Sequence, residues 1–327
     1  MGPHIPRGAA FGIFVFLSLS ACSSLSPVSG LREGPPKETG GIGGIRPDWR
    51  PFAAAESPGF AYFAGRIGEP RLEFYALKID LGAPGLRILV GAGETGREEG
   101  DAGGEEKEDR GSPLPDTVPA TYVSSFVRNN GLLAGINAVP FDPSSDREGE
   151  ARRLAGLAVS EGRLIAEPVS RYAALVFYRR GGAAIVEQAE LDTESSGWPD
   201  RLGDIKNAVG GFHRILRNGE LTRRAREKQE GPRSARSAAG LSDGGKTLYL
   251  LAIDGKRPGS PGATEAETAL ILRQLGATEG INLDGGGSSA LALRFPDGET
   301  RPVNTPVHHI IPGRERAVAV CLGIGVD

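Results

Sequence analysis

An aspartate followed by three glycines is the feature of this sequence best suited to chemistry. Residues 282–289 (NLDGGGSS) follow an apolar strand and interrupt it abruptly. Consecutive glycines leave backbone N–H groups exposed and let a ligand approach the main chain closely. Asp284 at such a strand end can serve as a base, a nucleophile or a metal ligand, although the same residues would also suit a strained hairpin turn.

A second group of candidate residues lies upstream of this motif. Arg236 opens the segment RSAAG before the apolar run 247–253, and that run ends in Asp254. A helix over 264–275 would connect this strand to the one ending at Asp284, and parallel strands would bring both aspartates to one sheet edge. The planar fork of an arginine can hold two phosphate oxygens. The sequence therefore predicts a cleft with two carboxylates and an arginine.

The connecting segment 264–275 (TEAETALILRQL) is the clearest helix in the sequence. Thr264 is suited to cap it, Glu267 completes a capping box, and Gly276 ends it. The residues therefore predict a helix-cap role for Glu267.

The remaining periodic segments predict a fold rich in strands. A second helix is expected over 117–130, with Pro119 in its first turn. With 49 Gly and 24 Pro, many tight turns are expected. We predict an α+β fold, a single domain over residues 51–327 built on mixed β-sheet with few helices. The predicted strands include 72–81, 86–90, 132–139, 247–253, 280–283, 289–295 and 316–324.

The first residues have the features of an export signal. The apolar run 9–19 is too short to span a bilayer but has the length of a signal-peptide core. It ends in Leu-Ser-Ala-Cys, which resembles a bacterial lipobox, so we predict a lipoprotein signal peptide over 1–21 and lipidation of Cys22. The alternative is a plain secretory signal. The predicted location is the cell envelope, anchored to the membrane by lipid and facing the periplasm or the cell surface.

Two further segments are expected to lie outside the core. Residues 22–50 are rich in Ser, Gly and Pro and predict a flexible tether, while residues 93–112 predict an acidic, disordered insertion. The net charge of −3 gives no global field that would recruit nucleic acid. Cys321 lies in an apolar run and is expected to be a small core residue. His308 and His309 are adjacent on a predicted strand and should face opposite ways, so we predict no metal site there.

Taken together, the motifs resemble the phosphodiester glycosidase domain family, that of N-acetylglucosamine-1-phosphodiester α-N-acetylglucosaminidase and its bacterial relatives. Upstream, 134–137 followed by Phe141 resembles the Asn-Gly-Gly-x-Phe segment of the family, with Ala138 and Val139 in place of the two glycines. The residues that carry the resemblance over 207–326 are Arg236 to Gly240, Asp254 and Gly255, Glu267, residues 282–289, Asn304 to Pro306, and Arg316.

The resemblance implies an enzyme that hydrolyses a sugar-1-phosphodiester of an envelope glycan or glycoconjugate to free sugar and a phosphomonoester. We predict no cofactor and no metal. Arg236 and the glycine amides would hold the phosphate, while Asp284 would stabilise the cation at the anomeric carbon or act as nucleophile or base. The implied catalytic residues are Asp284, Asp254, Arg236 and Glu267. The implied substrate-binding residues are Asn137, Gly285, Gly286, Gly287, Ser288, Ser289, Asn304 and Arg316.

Two other function classes remain open from the sequence. One is a non-catalytic envelope protein that binds glycan or polyol phosphate in the same cradle. The other is a metal-dependent phosphoesterase with Asp254 and Asp284 as metal ligands.

Overall fold

The computed structural model describes residues 37–39, 44–51, 59–93, 117–144, 146–191 and 203–327. The predicted signal peptide with Cys22, most of the predicted tether and nearly all of the predicted acidic insertion lie outside these residues. No described helix combines the length and the hydropathy that a membrane span requires.

Nine strands form the central sheet. Eight follow one another across it, and the ninth, Arg50–Pro51, pairs with Phe60–Ile67. The only parallel pair among the described strands of this sheet joins Lys37–Thr39 to Phe60–Ile67, so the sheet is mixed. In spatial order the eight strands are Lys37–Thr39, Phe60–Ile67, Leu72–Asp80, Thr247–Ile253, Arg236–Ser242, Glu279–Asn282, His213–Arg217 and Glu220–Leu221.

Two five-stranded antiparallel sheets and two small strand groups complete the described β structure. The described part of the chain is therefore mostly β-sheet with few helices, in agreement with the predicted α+β fold. One five-stranded sheet contains, in order, Arg163–Ala166, Ala158–Ser160, Ile205–Gly210, Ala173–Tyr178 and Ala183–Glu187. The other contains Thr300–Pro302, Leu291–Arg294, Ala134–Asn137, Cys321–Val326 and Leu86–Gly91. The small groups are Val118–Pro119 with Ala151–Leu154 and Phe141–Asp142, and the hairpin of Val307–His308 with Ile311–Pro312.

The helix predicted over 264–275 is confirmed, with its cap. Thr264 accepts a hydrogen bond from the backbone N–H of Glu267, whose carboxylate accepts one from the N–H of Thr264. The C-cap residue Gly276, which follows the helix, has φ 112°, a left-handed conformation that favours glycine. Among the described residues the α-helices are Val123–Asn129, Arg223–Glu227 and Glu265–Leu275, and short 3₁₀ turns cover Gln188–Leu191 and Gly286–Ser288.

The helix predicted over 117–130 begins later than expected. Val118–Pro119 is a strand that pairs with Ala151 and Arg152, and the helix is Val123–Asn129. A residue before proline is driven out of the helical region, so Val118 is extended. The prediction that Pro119 lies in the first helical turn was wrong.

The central sheet buries apolar side chains on both of its faces. Along Leu72–Asp80, Leu77 and Ile79 belong to a core cluster shared with the two five-stranded sheets, whereas Phe74 belongs to a cluster shared with Glu265–Leu275. Successive side chains of a strand point to opposite faces, which accounts for this division. The sheet thus lies between the other sheets and the helix. Because both of its faces are covered, a site can form only where its strands end.

The packed part of the chain begins before residue 50, the predicted boundary between tether and domain. Ile45 is buried, and the ring of Trp49 lies 5.9 Å from that of Phe63 and 6.1 Å from that of Tyr249. These apolar side chains belong to the core that faces the helix.

Cys321 is a core residue, as the sequence predicts. Its side chain is fully buried at the start of Cys321–Val326. Burial raises the pKa of the thiol well above its ordinary value, because the thiolate would be desolvated. The thiol is therefore unsuited to act as a nucleophile.

Candidate active site

Three of the predicted site residues lie at one edge of the central sheet. Arg236–Ser242 is antiparallel to both Thr247–Ile253 and Glu279–Asn282, so these two strands run in the same direction. Asp254 and Asp284, which follow them, therefore leave the sheet at the same edge, where Arg236–Ser242 begins. The two strands are separated by one other, which places their axes about 9.5 Å apart.

The glycines after Asp284 are required by close packing as well as by the turn. Gly286 has φ 62°, a left-handed conformation that favours glycine. A Cβ atom on Gly287 would lie 2.4 Å from Nη2 of Arg316. Any side chain at position 287 would therefore displace the arginine from the turn.

Two of the three glycine amides donate hydrogen bonds inside the protein. The N–H of Gly285 donates to Oδ1 of Asp284 at 3.0 Å, and that of Gly286 donates to the carbonyl of Ala235 at 2.8 Å. These two N–H groups are engaged within the protein, and the predicted role of Gly285–Gly287 in holding the phosphate stays a prediction. The turn positions the carboxylate of Asp284.

Asp284 carries a strongly perturbed carboxyl. Burial raises its pKa to about 6, because the ionised form loses solvation, while a hydrogen bond with Ser288, the charge of Arg316 and the Gly285 N–H oppose this effect. The carboxyl is thus mostly ionised at neutral pH but protonates within the physiological range. Such a group suits stabilisation of a cation, nucleophilic attack or proton transfer.

Arg316 is the cation that faces Asp284. Its Nη1 donates to Oγ of Ser288 at 3.3 Å and its Nε donates to Nδ1 of His308 at 3.2 Å. Burial lowers the pKa of Arg316 and the charge of Asp284 raises it, but a guanidinium keeps its charge at any ordinary pH. Ser288 therefore links a carboxylate and a guanidinium, both positioned by the glycine turn.

Arg236 is less free than the sequence suggests. Its Nε donates to the carbonyl of Ala263 at 2.9 Å, and its Nη2 donates to that of Pro232 at 3.1 Å. Burial lowers the pKa of its guanidinium, which the charges of Glu265 and Glu267 oppose. Much of its fork is thus engaged by backbone, so its predicted catalytic role stays a prediction.

Asn137 holds the site together. Its Nδ2 donates to the carbonyl of Asp284 at 2.7 Å, and its Oδ1 accepts from Oγ of Ser237 at 2.6 Å and from the N–H of Ala290 at 3.1 Å. The residue is completely buried. Its amide thus fixes the backbone on both sides of the glycine turn, which is a positioning role.

Asn304 has a comparable role on the other side of the turn. Its Oδ1 accepts from the N–H of Leu291 at 2.8 Å, and its Nδ2 donates to the carbonyl of Ser289 at 3.0 Å. The substrate-binding roles of Asn137, Asn304 and Ser289 stay predictions. Among the described residues, Oδ1 of Asn282 and Oγ of Ser289 are buried without a hydrogen-bond partner, which makes them candidates for contact with a ligand.

Asp254 belongs to a buried ion-pair network. Its Oδ1 accepts from the N–H of Thr305 at 2.8 Å, and its Oδ2 accepts from Nη2 of Arg257. The same guanidinium contacts Glu73, which also pairs with Arg66 at 2.6 Å. Burial raises the pKa of Asp254 against the opposing charge of Arg257. Both carboxylate oxygens are occupied, so the geometry favours an orienting role.

This network was missed from the sequence, although a signal was available. Glu73 is a charged residue inside the apolar run LEFYAL and requires a partner when buried. Burial alone would raise its pKa, but hydrogen bonds and charges from Arg66 and Arg257 leave it lowered. Arg257 follows Asp254 by three residues, a spacing that could have indicated the pair.

Glu267 is engaged by the helix cap and by an arginine. Its Oε2 accepts from the N–H of Thr264 at 2.9 Å and from Nη1 of Arg233 at 2.8 Å, while its Oε1 accepts from Nη2 of Arg233 at 2.5 Å. Since both oxygens are used, the structure favours the helix-cap interpretation over a catalytic one.

The prediction that His308 and His309 face opposite ways was wrong, because their rings lie side by side. His309 has φ 48°, which breaks the strand alternation and places its ring centroid 3.9 Å from that of His308. Nitrogen atoms of both rings lie within 4.8 Å of a carboxylate oxygen of Asp146 and of one another. Arg314 pairs with Asp146, and Arg316 donates to His308. Two guanidinium groups at this cluster oppose the binding of a cation.

The contact with Arg316 also fixes the proton on His308. Nδ1 accepts a hydrogen bond, so in the neutral ring the proton is on Nε2. Burial first, and then the charge of Arg316, lower the pKa of His308 to about 4, which keeps the ring neutral at physiological pH. Nε2 is buried without a hydrogen-bond partner among the described residues, so His308 presents an unused N–H donor near the site.

Comparison with known proteins adds independent evidence. The family model described as phosphodiester glycosidase matches residues 130–325, more than half of the chain. The fold is similar to that of the zebrafish N-acetylglucosamine-1-phosphodiester alpha-N-acetylglucosaminidase catalytic domain, auto-inhibited by its pro-peptide (TM-score 0.56, 20% identity, 84% of this chain and 85% of that chain). No curated protein is significantly similar in sequence.

A hypothetical protein from Synechocystis has a similar fold, with a TM-score of 0.53 and 16% identity. The similarity covers 82% of this chain and 62% of that one, so the chain spans less than two thirds of the Synechocystis protein. At these identities the solved structures establish a shared fold.

Proposed function

This chain belongs to the phosphodiester glycosidase family, enzymes that act on phosphodiester-linked sugars, and we propose that it hydrolyses a sugar-1-phosphodiester at the anomeric carbon. The products are a free sugar and a phosphomonoester. The proposed site is the glycine turn with Asp284, Ser288 and Arg316.

The observation that carries this proposal is the pairing of opposite charges across the turn. Asp284 and Arg316 both contact Ser288, so a carboxylate and a guanidinium face one small region at the sheet edge. Glycosyl transfer has the same charge separation in its transition state. Positive charge develops at the anomeric carbon, and negative charge collects on the departing phosphate.

Each group would act on one side of the bond that breaks. The carboxylate of Asp284 stabilises the positive anomeric carbon, or attacks it as the nucleophile. Arg316 holds the phosphate through the N–H groups of its guanidinium that His308 and Ser288 do not use. Phosphate is a good leaving group, so this mechanism depends less on a strong general acid than on fixed charges that are already in place.

Three other predicted residues support the turn in this proposal. Asn137 and Asn304 fix its backbone through their amides. Asp254 accepts a hydrogen bond from the N–H of Thr305 and so fixes the residue after Asn304. Arg257 neutralises the charge of Asp254. A site held from several elements keeps its geometry during the reaction, which is the condition for electrostatic catalysis.

We further propose that the substrate lies in the cell envelope. The predicted lipobox at residues 19–22 would place a lipid anchor on Cys22, and the following segment would act as a tether. Two or more acyl chains on such a cysteine would be enough for stable attachment to a membrane. The substrate would then be an envelope glycan or glycoconjugate that carries a sugar-1-phosphodiester.

The bond that breaks can be identified with labelled water. The purified protein is incubated in H₂¹⁸O with a panel of sugar-1-phosphodiesters, and the products are analysed by mass spectrometry. Cleavage at the anomeric carbon places ¹⁸O in the sugar, whereas attack on phosphorus places it in the phosphate.

The possible outcomes separate the three function classes. Label in the sugar supports the glycosidase. Label in the phosphate, with activity that is lost on chelation, would favour the metal-dependent phosphoesterase. Binding of a phosphodiester without turnover would favour a non-catalytic envelope protein.

A further inference from the structure

A small hairpin extends from the candidate site. Val307–His308 pairs with Ile311–Pro312, and His309 and Ile310 connect the two strands. Both connecting residues have positive φ, 48° for His309 and 64° for Ile310. This conformation is unfavourable for a β-branched residue such as isoleucine, so surrounding structure or function must maintain it.

The tip of this 307–312 hairpin is apolar and exposed. Ile310 is 79% exposed and Ile311 is 47% exposed, and within the described part of the chain they are the large apolar side chains left exposed. An asparagine or glycine would suit the backbone at position 310 better. Ile310 and Ile311 therefore form a small apolar surface at the tip of the hairpin, which is available for contact with an apolar group.

The base of the hairpin is part of the site. His308 is buried and accepts a hydrogen bond from Arg316. Arg316 in turn contacts Ser288 beside Asp284. The apolar tip is therefore two residues along the chain from His308, which contacts the guanidinium that would hold the phosphate.

From this arrangement we propose that the 307–312 hairpin binds an apolar alcohol esterified to the phosphate of the substrate. The inference rests on the proposed function and adds the class of the aglycone, a hydrocarbon chain. Arg316 contacts the phosphate at the base of the hairpin. Ile310 and Ile311 contact the chain that leaves the phosphate on the side away from the sugar.

The size of the apolar surface favours a substrate chain over a bilayer. Removal of one partly exposed isoleucine surface from water is enough for a preference of about tenfold. Even a myristoyl chain gives only marginal membrane binding, so two isoleucines do not hold a protein on a bilayer. They are sufficient to distinguish one alcohol from another.

The test compares two esters of the same sugar-1-phosphate, one with methanol and one with hexanol. The purified full chain is assayed with each ester at concentrations where neither forms micelles. We expect kcat/KM to be about tenfold higher for the hexyl ester, through a lower KM. The variant Ile310→Asn/Ile311→Thr should lose this preference and hydrolyse the methyl ester as before.

The matched control is Ile310→Leu/Ile311→Val, which keeps the apolar tip and should keep the preference. Equal kcat/KM for the two esters in the unmodified protein, or a preference that survives in Ile310→Asn/Ile311→Thr, would overturn the inference alone. Loss of vesicle binding in that variant with an unchanged ester preference would overturn it in favour of a membrane contact. Absence of hydrolysis of both esters, and of every other phosphodiester tested, would overturn the proposed function as well.

Discussion

The side-chain amide of Asn137 donates to the backbone carbonyl of Asp284 at 2.7 Å, across 147 positions of the chain. Through this bond, a strand of a five-stranded sheet fixes the backbone from which the candidate catalytic carboxylate projects. The same amide accepts hydrogen bonds from Ser237 and Ala290. One buried side chain therefore connects three segments of the site.

Asn137→Ala should destabilise the protein by about 3 kcal/mol, because it leaves buried polar groups of Asp284, Ser237 and Ala290 without partners. Denaturation by urea measures this change. Asn130→Ala removes a side-chain bond to the carbonyl of Phe126 at a helix end and serves as the control, with an expected cost of about 1 kcal/mol. Equal costs for the two variants would show that Asn137 does not have this connecting role.

Asp284→Asn keeps the size of the side chain and removes its charge. If that charge stabilises the glycosyl transition state, kcat should fall by a factor on the order of 100 or more, which corresponds to about 2.7 kcal/mol. Steady-state kinetics measure the loss, and circular dichroism checks the fold. Asp297→Asn, in an exposed ion pair with Arg301, is the control and should have normal kinetics. A folded Asp284→Asn protein with near-normal turnover would falsify the catalytic assignment.

The pH dependence of the reaction should follow the titration of Asp284. Burial raises its pKa to about 6, and the ionised form is the one that stabilises a cation or attacks the anomeric carbon. Activity should therefore be high above pH 6 and fall about tenfold per pH unit below it. The measurement is kcat/KM from pH 4 to 8 with a substrate whose own ionisation does not change in this range. A constant value across pH 6 would contradict an ionised Asp284 in the mechanism.

Glu267→Gln should reduce stability and leave catalysis within about twofold. The carboxylate pairs with Arg233 and accepts the N–H of Thr264, so its charge supports the start of Glu265–Leu275. Loss of the charge should cost about 1 kcal/mol in the free energy of unfolding. Thermal unfolding and kcat are compared on the same preparation. A large decrease in kcat without a change in stability would restore the catalytic interpretation of Glu267.

Cys22→Ser should abolish membrane attachment if Cys22 carries the lipid. The variant is expected in a soluble fraction or as an unprocessed precursor, because the hydroxyl of serine cannot take the place of the thiol. Cell fractionation and immunoblotting measure the distribution, with the unmodified protein as reference. Membrane association that is unchanged in the variant would remove the lipid anchor from the proposal.

Features that depend on neighbouring residues could be predicted from the sequence. The capping box of Thr264 and Glu267 and the strand Thr247–Ile253 have the bounds that the pattern predicts. The common sheet edge of Asp254 and Asp284 also follows from a strand–helix–strand order. In each case a few consecutive residues, or the order of a few elements, contain the information.

The sequence by itself determined which residues were chemically suited to a site, and the tertiary structure decided which of them meet. Arg316, rather than Arg236, is linked to Asp284 through Ser288, and the oxygens of Asp254 are occupied by Arg257 and Thr305. These contacts join segments far apart in the chain. Local propensity cannot specify them, because a buried polar group takes its partner from whichever distant strand the packing of the core places beside it.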